Sequence, residues 1–249
     1  MAYDFDATDD ILDFTAGGQN TTIYPGAMYT TSYPMTLACW ARVDNSGTNI
    51  GSNGLPTATM DILTVQKTTA NSKLVLQMSG VDVGDPFRAT VAINSGAFST
   101  GATAFAGGST TGLTSNKWYH VAGVFRGTAN RWCYVDGVSG VANTTSRATF
   151  TGPDWTMVGS GRGTLASGFA SARRFNGKIA EAAVWDVELT NEEVMSLAKG
   201  ACPTQVRPQS LQFYAPLVNN TQELMYARGF SGVGAGPMPA VFEHTRIFR

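Results

Sequence analysis

Three carboxylates stand close together near the end of one strand-like run: Glu181, Asp186 and Glu188. A carboxylate pair can hydrolyse a glycoside when the two groups flank the bond, about 5–5.5 Å apart for retention or about 6.5–9.5 Å for inversion. Glu181 and Asp186 differ by five positions. On a regular strand an odd offset sends the two side chains to opposite faces. Glu188 falls at the strand end. The spacing therefore predicts no hydrolase. A nucleophilic triad fails on inventory, because the only histidines are His120 and His244. The string Gly159-Ser160-Gly161-Arg162-Gly163 does not supply a nucleophile elbow. Gly177-Lys178 lacks the upstream glycine of a phosphate loop. Neither the cysteines nor the histidines are spaced for zinc.

Two binding chemistries have candidate residues. Asp4, Asp6, Asp9, Asp10 and Asp13 cluster near the start of the sequence. Calcium takes six to eight oxygens, and Asp6, Asp9 and Asp10 are its candidates. The stretch lacks the glycine and terminal glutamate of a twelve-residue calcium loop. Asp also serves turns by bonding nearby backbone N–H groups. The expectation is turn chemistry, with no cofactor and no metal; calcium is the alternative. Sugar binding would use an exposed aromatic with Asn or Asp beside it. Trp40, Trp132 and Trp155 are the candidates. Trp118, Trp185 and His120 are expected in packed strands.

These residues must be positioned by strands. In the run over residues 34–44, Met35, Leu37, Cys39, Ala41 and Val43 share one face, and Thr36, Trp40 and Arg42 the other. Further strands are predicted over 60–67, 73–79, 87–94, 117–126, 131–135, 155–159, 178–187 and 211–217. Turn residues flank most of them. One helix is predicted near 190–199. Thr190 and Glu193 form its capping box, Val194 and Leu197 its apolar side, and Gly200 its end. Residues 43–56 and 95–114 read as long loops.

The chain has 249 residues, 17 Lys+Arg and 18 Asp+Glu, for a net charge of −1. That balance argues against bulk phosphate neutralisation, and hence against nucleic acid as a partner. No apolar run is long enough to insert in a membrane. Charged residues are only 14% while hydrophobics reach 43%, so a packed core is expected rather than disorder. The acidic opening Met-Ala-Tyr-Asp-Phe-Asp predicts no signal peptide. Cys39, Cys133 and Cys202 are expected to be free thiols, as suits synthesis in a reducing cytoplasm. The tripeptides starting at Asn20, Asn143 and Asn219 match a glycosylation pattern, read here as chance in a Thr-rich chain.

Specific strings add a resemblance. Asn116-Lys117-Trp118-Tyr119-His120-Val121-Ala122, followed by Arg131-Trp132-Cys133-Tyr134-Val135-Asp136-Gly137, resembles paired strands of concanavalin A-like, laminin-G-like domains. The opening Tyr3-Asp4-Phe5-Asp6-Ala7-Thr8-Asp9-Asp10-Ile11 resembles their first hairpin, with Ala7 where Gly is commoner. Phe175-Asn176-Gly177-Lys178-Ile179-Ala180-Glu181, with Trp185-Asp186 and Leu189-Thr190-Asn191-Glu192-Glu193, resembles their penultimate strand and capped helix. The segment from Cys202-Pro203 to Leu217 resembles a return strand of such domains from bacteriophage genomes. Those chains often end in a motif close to D-H-P-R-I, and here Glu243-His244-Thr245-Arg246-Ile247 stands without the Pro.

The resemblance implies an all-β jelly roll, a two-sheet sandwich over residues 1–200. Residues 201–249 would form a return strand and tail, packed on the same domain or on a neighbouring subunit. The fold hosts lectins, glycosidases and structural modules, and fold alone does not choose among them. In related glucanases the carboxylates follow E-x-D-x-x-E-like spacing, which Glu181, Asp186 and Glu188 do not reproduce. The expectation is a non-enzymatic bacteriophage virion protein on the particle surface, most simply capsid decoration. Its partners would be the major capsid protein, further copies of itself in a trimer, and cell-surface glycans. The alternative is a lectin-like module for host attachment, associated with a tail or fibre.

Overall fold

The computed structural model describes residues 2–7, 11–15, 33–52, 54, 56–67, 73–79, 88–94, 104–146, 152–153, 155–161, 173–217 and 231–233. Fourteen strands lie in this part of the chain: β1 (Tyr3–Asp6), β2 (Ile11–Thr15), β3 (Met35–Val43), β4 (Met60–Gln66), β5 (Lys73–Ser79), β6 (Arg88–Asn94), β7 (Ala104–Thr111), β8 (Tyr119–Gly127), β9 (Asn130–Val135), β10 (Val138–Ser139), β11 (Trp155–Val158), β12 (Asn176–Trp185), β13 (Leu211–Ala215) and β14 (Ser231–Val233). One helix, α1 (Asn191–Ala198), follows β12.

The strands form two seven-stranded sheets. The first runs β1-β12-β3-β8-β9-β10, and β13 also pairs with β12. The second runs β14-β2-β11-β4-β5-β6-β7. All the registered pairs are antiparallel. This is the two-sheet sandwich expected from the sequence. The core lies between the sheets, where Met35, Leu37, Cys39 and Ala41 of β3 meet Met60, Ile62, Leu63 and Val65 of β4 in one cluster. Burial pushes the Cys39 and Cys133 thiols up from their ordinary range. All three cysteines are free, and Cys202 alone is partly exposed.

Three sequence readings are corrected. Residues 95–114 are not all loop, because β7 extends the second sheet beyond β6. Alanine, glycine and threonine there carry little hydrophobic alternation, but backbone pairing needs none. Tyr3 to Ile11 is not a hairpin either. β1 pairs with β12 in the first sheet, whereas β2 pairs with β11 in the second. The chain crosses between layers at the turn containing Ala7, whose φ is +60°. Trp118 is half-buried rather than packed in the core.

β12 is flanked on one edge by two segments end to end. Asn176–Ile179 pair with β1, and Ala182–Trp185 with β13. Between them the register to β3 shifts, and Glu181 has φ +55°. This bulge breaks the period of two, so counting alone misplaces the faces beyond it.

A second apolar layer covers the outer face of the first sheet. Ala183, Ala38 and Ala122 lie in register across β12, β3 and β8. They share a buried cluster with Val194 and Leu197 of α1. Three methyl-sized side chains in a row leave a shallow trough in which a helix can lie close to the sheet. Gly137, at φ +81°, turns the chain between β9 and β10, and a Cβ there would strike Met195 of the helix. Lengthening the side chain at the β8 end of the trough should lift α1. Ala122→Leu is expected to cost about 1–3 kcal/mol, read as a lower urea midpoint at unchanged slope.

Candidate functional site

Beside the trough the same face opens into a cleft of about 390 Å³. Its floor is β9 and its wall is the turn between β12 and α1. Trp132 and Tyr134 point outward from β9, in register with Val124 and Ala122 of β8. Arg126, two residues beyond Val124, is the diagonal neighbour of Trp132. Its guanidinium carbon lies 5.0 Å from the centre of the Trp132 ring. Glu188 holds that guanidinium in a fork, accepting from Nε at 2.7 Å and from Nη2 at 2.5 Å. These bonds raise the Arg126 pKa still further from its ordinary value. Tyr134 donates its hydroxyl to Asn191 Oδ1 at 2.7 Å. Burial, followed by the charge of Glu188, pushes the phenol pKa up, so it remains a donor. Ser139, Leu189, Thr190 and Glu192 complete the lining.

The wall is held from below. Thr36 on β3 donates Oγ1 to Val187 O at 2.8 Å and accepts from Leu189 N at 3.1 Å. Gln212 donates to Asp186 at 3.1 Å. Trp185, fully buried, donates its indole N–H to Val206 O at 2.7 Å and ties down the segment leading to β13. α1 starts with the expected capping box: Thr190 Oγ1 accepts from Glu193 N at 3.3 Å, and Glu193 Oε2 accepts from Thr190 N at 2.8 Å. Arg207 reaches Glu193 Oε1 at 2.5 Å.

The three tryptophan candidates part company. Trp132 is half-buried and lines the cleft. Trp40 lies on the same outer face, but beyond the alanine row, with its ring edge-on to His120 at 5.4 Å. His120 is buried in β8, as expected. Trp155 points away from the core of the second sheet and is buried, so it offers no open platform. Of the calcium candidates, Asp6 is exposed at the end of β1, while Asp9 and Asp10 lie outside the described residues. Asp4 pairs with Lys178 at 3.1 Å. Among the described residues no cluster of three or more His, Cys, Asp or Glu is arranged to hold a metal ion. His244 also lies outside the described residues. Asn143 of the glycosylation pattern holds Arg131 Nη2 at 2.6 Å through its own Oδ1.

The carboxylates of the hydrolase alternative go to separate partners. Glu181 is buried and accepts from the Tyr214 hydroxyl at 2.5 Å. Asp186 is bonded to Gln212, and Glu188 is paired with Arg126.

Sequence reasoning missed a polar row on the outer face of the second sheet. Asp61, Thr64 and Gln66 of β4 and Lys73 and Gln77 of β5 are at most 2% exposed. Lys73 sits opposite Gln66, and Gln77 opposite Asp61. The lysine side chain must therefore run along the strand to reach Asp61 Oδ2 at 2.9 Å. Gln77 donates to Asp61 Oδ1 at 2.6 Å, and Arg173 lies 3.8 Å from the same oxygen. A Cβ on Gly161 would collide with this pair, which is why a glycine stands over it. At this burial the row is a closed structural contact, and loss of either partner would leave an uncompensated charge. Single polar residues spaced along β4 and β5 mark the row in the sequence, but they read as a solvated face rather than a covered one.

The fold is that of lectin-type β-sandwiches. Residues 15–195 match the sequence profile of the Laminin_G_3 family, of the concanavalin A-like lectin/glucanases superfamily, and the chain belongs to it. No curated protein matches the sequence closely enough to count as a relative. Solved structures agree on the fold. A Bacteroides ovatus protein, provisionally described as carbohydrate binding, is 17% identical at a TM-score of 0.53, covering 86% of this chain and 50% of its own. The heptameric SAP-like pentraxin of Limulus polyphemus is 16% identical at 0.51, covering 78% and 83%. The enzymatically active domain of tailspike protein 2 from bacteriophage CBA120 is 16% identical at 0.51, covering 79% of this chain but 28% of its own.

The capping box gives the wall a pH dependence. Partial burial opposes ionisation of Glu193, but the bonds from Arg207 and the Thr190 amide outweigh it and lower the carboxyl pKa. The box therefore stabilises in full above the free carboxyl value of about 4.3. That contribution is lost as pH falls through the lower folded value. The stability gap between the wild type and Glu193→Gln should be widest at neutral pH and narrow as the pH falls below the free carboxyl value of about 4.3, as followed by thermal melting.

Proposed function

We propose that this protein is a non-catalytic glycan-binding sandwich displayed on the surface of a bacteriophage particle. One observation carries the binding half: the cleft presents a half-buried indole beside an amide, hydroxyls and carboxylates. Apolar ring faces with a few polar groups set around them are what a saccharide site requires. The carboxylates of the hydrolase alternative are each committed to a different partner, which supports binding without turnover. The virion half is supported by the strings that resemble those of bacteriophage domains. In this reading the chain decorates the capsid as a trimer against the major capsid protein. Val138 and Val141, exposed along the short edge strand β10 and after it, suit contact between subunits.

A tail- or fibre-associated attachment module is the second reading. The open aromatic cleft favours it, since attachment needs such a site and a purely structural shell protein does not.

Trp132→Ala should weaken retention on a responsive glycan by on the order of 10–30-fold, whereas Trp40→Ala should leave it unchanged. A glycan array with no hits for the wild type would reject the binding half. Mass spectrometry of purified particles should find the chain among virion proteins, and its absence would reject the other half. Light scattering of the purified protein should give the mass of three copies.

A further inference from the structure

The cleft has a charge signature as well as a shape. Among the described residues its lining holds one cation, Arg126, against two carboxylates, Glu188 and Glu192. The cation is already engaged. Its fork faces Glu188 through two hydrogen bonds, and its guanidinium carbon lies over the Trp132 ring. An incoming carboxylate or sulfate would have to displace Glu188 from that fork and sit beside the displaced charge. The helix end is already partly engaged. The first-turn amide of Glu193 is bonded to Thr190, and Glu192 and Glu193 already complement the dipole there. Glu193 is itself paired with Arg207, so that arginine is not available to an anion. Tyr134 spends its proton on Asn191 Oδ1, which leaves the Asn191 amide nitrogen as the neutral donor of the wall. What remains is rich in acceptors and carries an unbalanced negative charge at Glu192.

We infer that the cleft selects among saccharides by charge, favouring amine-bearing sugars, accepting neutral ones and rejecting those with carboxylate or sulfate groups. The inference rests on the reading of the cleft as a glycan site. An ammonium group finds Glu192 and the outer lone pairs of Glu188. A hydroxyl or acetamido group finds Asn191, Ser139 and the carboxylates. An acidic group finds repulsion. Arg126 acts here as a positioning residue: it occupies part of the indole face and holds Glu188 at the cleft edge.

The test uses three matched probes against the whole protein: glucosamine oligomers, the same oligomers N-acetylated, and galacturonic acid oligomers of equal length. Affinities are measured by calorimetry at low salt. The free-amine oligomer should bind about 2–5-fold tighter than the acetylated one, as befits a solvent-screened charge. The acidic oligomer should show no measurable binding. The amine advantage should shrink as salt rises towards 1 M. Glu192→Gln should remove most of that advantage by weakening the free-amine oligomer more than the acetylated one. Glu188→Gln, which loosens Arg126, should bring the acidic oligomer into range. Equal affinity for all three probes, or tighter binding of the acidic one, would overturn the charge selection while the glycan site stood. Failure of all three to bind the wild type would overturn the glycan site and the selection together.

Discussion

Everything above the first sheet rests on three methyl groups. Ala38, Ala122 and Ala183 leave the outer face low enough for α1 to settle, and Val194 and Leu197 fill what they leave. Each fully buried side chain of that size contributes about 1.5–3 kcal/mol, enough to dock a helix of only eight residues that would not persist alone in water. The docked helix then fixes Thr190, Asn191 and Glu192, which form one side of the cleft. A larger residue in the row would shift the wall, and with it the distance between Asn191 and Trp132. The site is thus a by-product of how closely a helix can approach a sheet.

Polar contacts refine what packing begins. Thr36 is a β-branched residue on a strand, where its propensity suits it, yet its hydroxyl is spent on the loop that follows β12. It accepts one backbone N–H and donates to one backbone carbonyl, so the loop crosses the sheet with those groups satisfied. Glu188 leaves this loop and meets Arg126, and the two charges span strand and loop. On the opposite sheet the logic differs. Asp61 and Lys73 are sealed, and their bond serves the packing of that face rather than a ligand.

The sandwich could be read from the sequence because strand alternation and turn residues repeat nine times over. β5 is predicted with its observed bounds, and the capping box of α1 is written in Thr190 and Glu193. β7 was hidden because Ala104 to Thr111 has composition without alternation. The layer switch between β1 and β2 was hidden because a hairpin and a crossover use the same turn residues. At the site, Trp132 could be named as an aromatic candidate, but not separated from Trp40 and Trp155. The separation depends on what lies across each ring: a guanidinium, a buried imidazole, a covered sheet face. Those neighbours come from distant strands. Arg126 and Glu188 are 62 positions apart, and no spacing rule links them.

β12 carries two strands on one edge, and this sets a clock for the chain. Tyr3 pairs with Ile179, so β1 is made well before β12 and finds its partner only after most of the first sheet has been synthesised. At about 5–20 residues per second, that wait is on the order of 10–40 s. β13 then closes the other half of the edge beyond the bulge at Glu181. The opening segment must stay soluble without its sheet for that time. Asp4 and Asp6 within β1 make an unpaired edge less prone to join another chain. The two acids of β1 are, on this view, a device for waiting.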